Sequence, residues 1–233
     1  MERGDAIAMT IAVLLLPFAL LQAEPAAPAP GADRLQQCLA LIDQNPERAY
    51  EEGMAWAAES QSLNGYRCAA MALIAQNRIE EGARRLESLA SAANPALIEL
   101  RADLLSQAGN AWLLAREPAR AVSAFSRAIA TLARDPTQLT DLYIDRARAY
   151  AMERDWRRAE EDLSSALDGR PEDSLALRLR ATARMQQRSF ELAEADALAA
   201  LRNASTETDQ VDSALVLGHV RESIRTGTPV EAP

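Results

Sequence analysis

Few side chains in this sequence could carry out catalysis. His219 is the only histidine, which excludes a histidine-based triad and a multi-histidine metal site. The sequence contains no glycine-rich phosphate loop, nucleophile elbow or Cys-x-x-Cys pair. Acid–base chemistry would therefore rest on carboxylates alone. The paired acidic residues stand near predicted helix starts, where the helix dipole favours negative charge; these pairs are Glu51–Glu52, Glu80–Glu81 and Glu160–Glu161. We expect no enzyme, no cofactor and no metal site.

A second set of charged residues is suited to recognition rather than to catalysis. Asp141, Asp145 and Arg148 follow one another at i+4 and i+3 spacing, which places them on one face of a helix. Such a face could fix the register of a bound partner. The alternative is that Asp145 and Arg148 form only a solvated pair, which would stabilise the helix by roughly 0.2–0.5 kcal/mol.

The composition predicts that helices position these residues. The chain has 233 residues, of which 48% are hydrophobic and 4% aromatic, with 9 glycines, and this is too poor in rings and turns for a sandwich or barrel. The common residues Ala, Leu, Glu, Gln and Arg are good helix formers. The net charge of −9 argues against nucleic acid as a partner, because phosphate binding needs a clustered basic face.

The sequence contains an internal repeat. Its matching positions are Gly82, Ala121, Ala159 and Ala193, and each is followed by an apolar residue four positions later: Leu86, Phe125, Leu163 and Ala197. This spacing, continued three positions further on, is one face of a helix. Twelve positions upstream stands a second small residue, which would let two helices approach closely: Ala70, Gly109, Ala147 or Ala181. The chain is therefore predicted to fold into successive helical hairpins.

These landmarks resemble the tetratricopeptide repeat (TPR) consensus over about residues 63–205, which would hold four repeats. The resemblance implies an all-α, right-handed α-solenoid of TPR-like hairpins. Residues 34–62 resemble a degenerate hairpin, with Ala49 at the small position but Gly53 and Trp56 where the pattern has other residues. Trp56, Trp112 and Trp156 fall on repeat positions, and we expect them to pack in the core. As a whole the chain is similar to exported TPR scaffolds of Gram-negative bacteria.

The resemblance also implies a binding surface, because TPR folds line a concave groove with the first helix of each hairpin. Asn110 and Arg178 are in phase with the charged face of the third repeat, so the predicted groove contains Asn110, Asp141, Asp145, Arg148 and Arg178. TPR grooves that clamp a carboxyl terminus use Lys, Arg and Asn. Asn110 and Arg148 resemble two of those ligands, whereas the chain has no lysine.

The amino terminus indicates export. Residues 6–21 are almost entirely apolar, and Ala23 precedes a Pro/Ala-rich linker at residues 24–33. We predict a signal peptide at residues 1–23, cleaved after Ala23, and a periplasmic protein. An uncleaved anchor in the inner membrane, facing the periplasm, is the second interpretation, although the run is short for a membrane span and contains Pro17. A buried solenoid helix is the third, but the run has no polar face.

Cys38 and Cys68 are the only cysteines, and in an exported chain such a pair suggests a disulfide. Both fall on helices predicted to lie side by side. By the chain-entropy argument the bridge would contribute about 3–4 kcal/mol. Two free buried cysteines are the alternative.

The remaining boundaries follow from caps and polar runs. Asn45, Asn94 and Asp135 each precede a proline and are predicted N-caps of helices. Residues 206–225 are predicted to form a capping helix, which also carries His219 as a half-buried residue. Its apolar residues can cover the open end of the stack; they are Val211, Ala214, Leu215, Leu217 and Val220. Residues 226–233 are expected to be a disordered tail.

Together these features predict a non-catalytic periplasmic scaffold that binds a peptide or helix of an envelope protein in its groove. The alternative is a membrane-tethered assembly factor, with membrane contact only through an uncleaved amino-terminal helix. A carboxylate-dependent enzyme is the third hypothesis, and it would need a deep pocket around a desolvated acid.

Overall fold

The computed structural model describes residues 32–132 and 136–231, which form eleven α-helices and no strand. In chain order the helices are α1 (Ala32–Ile42), α2 (Pro46–Ser60), α3 (Leu63–Ala75), α4 (Ile79–Ala92), α5 (Ile98–Leu114), α6 (Pro118–Leu132), α7 (Pro136–Met152), α8 (Trp156–Gly169), α9 (Ser174–Gln186), α10 (Phe190–Asn203) and α11 (Glu207–Thr226). None of these helices is long and apolar enough to cross a membrane. The predicted signal peptide lies outside the described residues.

Each helix packs on the next along the chain, and each hairpin stacks on its neighbour. First helices also contact first helices: α5 touches α7, α7 touches α9, and α9 touches α11. The predicted all-α TPR-like solenoid is confirmed. We number repeats 1 to 4 as α3–α4, α5–α6, α7–α8 and α9–α10.

The hairpin turns share one backbone conformation. In every repeat the residue seven positions after the small residue of the first helix adopts a left-handed conformation, with φ between 58° and 64°. These residues are Asn77, Arg116, Arg154 and Arg188. Because the left-handed residue stands two positions after the last residue of each first helix, all four hairpins turn in the same way.

The small residues allow the close packing that the sequence predicts. Leu86, Phe125, Leu163 and Ala197 are all buried on the facing helices. A Cβ placed on Gly109 would lie 2.6 Å from a ring carbon of Phe125, so the Phe125 ring fills the space that a side chain would take. Trp56 and Trp112 are buried and Trp156 is half-buried, in agreement with packing roles.

Ion pairs between a partly buried arginine and a buried aspartate join the two helices of repeats 3 and 4. Arg146 donates two hydrogen bonds of 2.7 Å to Asp162, and Arg180 donates two of 2.9 Å to Asp196. Each arginine also reaches a serine on the preceding repeat, Ser126 or Ser164. Repeat 2 has alanines at both positions, Ala108 and Ala124, and they are fully buried. The ion pair and the alanine pair are therefore alternative fillings of one site.

Close backbone contact and a cysteine pair hold the amino-terminal helices α1 and α2 against α3 of repeat 1. A Cβ on Gly65 would lie 2.7 Å from the backbone nitrogen of Ala57, and one on Gly53 would lie 2.9 Å from that of Ala69. The two glycines thus let α2 and α3 touch along their backbones, which explains why Gly53 departs from the repeat pattern. Cys38 and Cys68 form a buried disulfide pair with Cα atoms 6.2 Å apart, linking α1 to α3.

Two of the three predicted N-caps lie in the described residues, and they differ. The Asn45 side chain accepts a bond of 2.9 Å from the Arg48 amide and caps α2, as predicted. The prediction for Asn94 is wrong, because Asn94 begins a turn that Leu97 closes with a 2.9 Å bond to its carbonyl. Helix α5 starts one residue later, at Ile98. Asp135 lies outside the described residues.

Helix α11 covers the end of the stack with a narrower face than the sequence predicts. Leu217 and Val220 are buried against α9 and α10, together with Ser213 and Ser223. Val211 and Leu215 are 62% and 55% exposed, because they lie on the opposite side of the helix. His219 is half-buried. In the predicted tail, Val230 donates to the Ser223 hydroxyl and accepts from Gln186 (2.9 and 2.7 Å), so residues 227–231 lie against α11 and α9.

Candidate functional site

Three of the five predicted groove residues meet where α5 and α7 lie side by side. The Asn110 side-chain amide donates a 3.1 Å hydrogen bond to Asp145. The Arg148 guanidinium donates a 3.3 Å bond to the other oxygen of the same carboxylate. Since the Arg148 side chain is 53% exposed, its remaining N–H groups face solvent. We call these three residues the polar network.

The other two predicted residues lie apart from the polar network. Asp141 accepts a hydrogen bond from Arg170, on the loop between α8 and α9. Arg178 is 15% exposed and donates to Asp209 and Asp212 of α11, at 3.3 and 3.0 Å. Its charge is therefore used in stacking α11 onto α9.

An apolar depression of about 470 Å³ adjoins the polar network. Its walls are the carboxyl-terminal turns of α5 and α7 together with one side chain of α9, and its lining residues are Asn110, Leu113, Leu114, Arg148, Ala151, Met152 and Leu179. Leu114 is 65% exposed and Met152 is 45% exposed. Exposed apolar side chains that converge beside polar groups are typical of a ligand site.

The opposite end of the same surface is acidic. Glu99, Asp103 and Asp141 line a smaller depression of about 220 Å³ at the amino-terminal ends of α5 and α7. Asp103 also accepts a 2.5 Å bond from Arg67 of α3. The surface therefore changes along the helices from carboxylates at one end to leucine and methionine at the other.

Sequence reasoning missed the apolar half of this site. Leu114 and Met152 both stand five positions after the small residue of their helix, Gly109 and Ala147. An apolar residue recurring at a position that the hairpin core does not use was the available signal.

The arrangement has the chemistry of binding. Within residues 32–132 and 136–231, no group of three or more His, Cys, Asp or Glu side chains could hold a metal ion. The open apolar depression can take up a hydrophobic side chain, and the polar network can bond a backbone or side-chain group beside it.

A row of helical hairpins that stack on one another in this way defines a helical-repeat protein. No protein-family model matches the chain, and no curated protein matches it. Among solved structures it is similar to BtubC from P. vanneervenii, with 15% identity and a TM-score of 0.62 over 82% of this chain and 84% of the other.

Two further structures are similar to it. YrrB, a TPR protein with an unusual peptide-binding site, has 15% identity and a TM-score of 0.59 over 79% of this chain and 92% of its own. MamA from Desulfovibrio magneticus RS-1 has 16% identity and a TM-score of 0.53 over 83% and 93%. These likenesses show that the chain has the TPR fold.

Proposed function

We propose that this protein is a non-catalytic periplasmic scaffold that binds a peptide or helix of an envelope protein on the surface formed by α5, α7 and α9. The observation that carries the proposal is the apolar depression with Leu114 and Met152 exposed beside the polar network. The free energy falls when an apolar side chain of a partner covers this surface and displaces the water from it. Peptide binding is also in keeping with YrrB, whose structure has a peptide-binding site.

The surface indicates the chemistry of the ligand. Asp103 and Leu114 are eleven residues apart on α5, which is about 16 Å along a helix. An extended peptide covers that distance in about five residues. The ligand that fits best therefore has a basic side chain for the acidic end and an apolar side chain about five residues away.

A carboxyl-terminal carboxylate is a poor ligand for the polar network. Asp145 already accepts hydrogen bonds from both Asn110 and Arg148. A second carboxylate at those donors would lie close to the Asp145 charge and be repelled by it. We therefore favour an internal peptide segment or a helix over a clamped chain terminus.

The periplasmic location is supported by the apolar run at residues 6–21 and by the Cys38–Cys68 pair. The membrane-tethered alternative differs in one measurement. The intact mass of the protein purified from its native envelope should correspond to a chain that begins at Glu24. A mass that includes residues 1–23 would favour the anchored form.

Site-specific photocrosslinking tests the binding surface. Leu114 is replaced by p-benzoylphenylalanine, and the matched control carries the same group at Leu192, which is 54% exposed on the second helix α10. We expect a protein adduct from position 114 and none from position 192. Met152→Glu should weaken that adduct at least tenfold, because burying a methionine contributes about 1.5–3 kcal/mol. Equal adducts at both positions would show that this surface is not the specific binding site.

A further inference from the structure

Helix α11 has the register of the first helix of a fifth repeat. Counting from the small residues Gly109, Ala147 and Ala181, the equivalent position in α11 is Gly218. Val220 is then buried two positions later, as Ala183 is in α9. In addition, Arg221 donates a 2.9 Å bond to Glu194 of the preceding repeat, as Arg184 donates a 2.7 Å bond to Glu160.

Among residues 32–132 and 136–231, no second helix covers the face of α11 that would pack on one. No atom of these residues lies within 4 Å of a Cβ built on Gly218, whereas the equivalent Cβ on Gly109 meets the ring of Phe125. Val211 and Ala214, which share this face with Gly218, are exposed. Residues 227–231 do not cover it, because their bonds to Ser223 and Gln186 hold them on the α9 side.

The carboxylate partners of Arg184 and Arg221 indicate which side chain a second helix would bring to this face. In repeat 4, Arg184 bonds Glu160 and also donates a 2.8 Å bond to Asp196 on its own second helix. Arg221 has the equivalent of the first carboxylate, Glu194, and no equivalent of the second among the described residues. A helix that completes the repeat would therefore bring an aspartate to Arg221.

We infer that α11 docks an amphipathic helix of another protein, which lies antiparallel to it and completes a fifth hairpin. Helix α8 provides the pattern for that helix, small-x2-Asp-Leu-x2-small, as Ala159, Asp162, Leu163 and Ala166. The leucine packs on Gly218 and the aspartate pairs with Arg221. A second copy of this chain has no free helix of this kind among the described residues, because α8 and α10 are packed within their own repeats.

A peptide with the sequence of residues 155–169, labelled with fluorescein, is the probe. We expect saturable binding to the full chain by fluorescence anisotropy, and a gain in peptide helicity by circular dichroism. Gly218→Leu should weaken binding at least tenfold, since its side chain fills the space into which the peptide leucine packs. Thr208→Leu adds similar bulk ten residues from Gly218, about 15 Å along α11, whereas the peptide extends only about 9 Å beyond its leucine in that direction, so this variant should leave binding unchanged.

A charge swap provides the second readout. Arg221→Glu should weaken the peptide at least fivefold, and a peptide carrying Asp162→Arg should recover affinity for that variant. Met152→Glu, in the groove, should have no effect, so failure here is distinct from failure of the proposed function. Absence of saturable binding, or equal affinity of Gly218→Leu and the unchanged chain, would overturn the inference. So would self-association that Gly218→Leu abolishes in sedimentation, because the face would then belong to a second copy.

Discussion

Two helical glycines should respond in opposite ways to an added methyl group. In an exposed helix, Gly→Ala usually stabilises by about 0.5–1 kcal/mol, because alanine loses less conformational entropy on folding. At Gly65 the methyl group would lie 2.7 Å from the Ala57 nitrogen and 2.9 Å from the Gly53 oxygen, both of them backbone atoms. We expect Gly65→Ala to lower the free energy of unfolding by roughly 1–3 kcal/mol, the usual cost of overpacking.

Gly218→Ala is the matched control for this prediction, because no atom of the described residues lies within 4 Å of the new Cβ. Urea unfolding followed by circular dichroism should show its midpoint rising while that of Gly65→Ala falls. If both variants gained stability, the close approach of α2 and α3 would be wrong.

A second prediction at the scale of residues concerns the ion pair of Arg146 and Asp162. Removing one partner of a buried pair typically costs about 3–5 kcal/mol, because the other charge is left without compensation. We expect Arg146→Ala to destabilise by roughly 3 kcal/mol and the double variant Arg146→Ala/Asp162→Ala to destabilise less, since repeat 2 packs alanines at these positions. A double-mutant cycle measures the difference, and simple additivity of the two single substitutions would contradict it.

The pH dependence of Arg146→Ala follows from the same pair. Burial raises the pKa of the Asp162 carboxyl, and the hydrogen bonds from Arg146 oppose that rise. Without Arg146 the folded-state pKa should rise further above the unfolded value. When a carboxyl group has a higher pKa in the folded state than in the unfolded state, the folded protein is relatively more stable at low pH. That stability is lost as pH rises from the unfolded-state pKa through the folded-state pKa. The deficit of Arg146→Ala relative to the unchanged chain should therefore shrink when unfolding is measured in acid instead of at pH 7.

At the scale of elements, the sequence predicted the features that recur at the same position in each repeat. Small and bulky apolar residues at fixed offsets indicated each hairpin, and Asn45 before Pro46 indicated a helix start that its capping bond bears out. The Arg146–Asp162 and Arg180–Asp196 pairs were also present as a spacing of sixteen residues, found in both repeats. They were missed because a charged pair is not expected in a core.

Other features of the elements could not be predicted from patterns within one helix. Asn94 precedes a proline just as Asn45 does, yet it starts a turn within residues 93–97, which connect α4 to α5. The apolar residues of α11 suggested one covering face. Which of them are buried depends on the register against α9 and α10, and that register leaves Val211 and Leu215 exposed.

The candidate site shows the same division. Asn110, Asp145 and Arg148 could be placed together because helix phase and the order of the repeats determine which side chains are neighbours. Arg178 had the correct phase, but its partners Asp209 and Asp212 lie on a helix whose docking the sequence did not specify. Leu114 and Met152 are exposed because of the way in which the hairpins pack on one another. A pattern within one helix does not define that packing.

At the scale of the whole molecule, contacts run mainly between neighbouring helices, so stability should be local. Helix α1 contacts only α2 and α3 to any extent, and Cys38 ties it to α3 across a sequence separation of 30 residues. By the chain-entropy argument such a bridge stabilises by about 3–4 kcal/mol. In a solenoid, each repeat is stabilised chiefly by its neighbours, so this contribution should remain at the amino-terminal end.

We therefore expect Cys38→Ser/Cys68→Ser to act on one end of the stack. Amide hydrogen exchange should show α1 and α2 losing most of their protection, while α7 to α10 exchange at the unchanged rate. Reduction of the unmodified chain with dithiothreitol should give the same pattern, and reduction of the variant should change nothing further. A uniform loss of protection from α1 to α11 would contradict the prediction, because it would mean that the hairpins unfold as a single cooperative unit rather than as a row of neighbours.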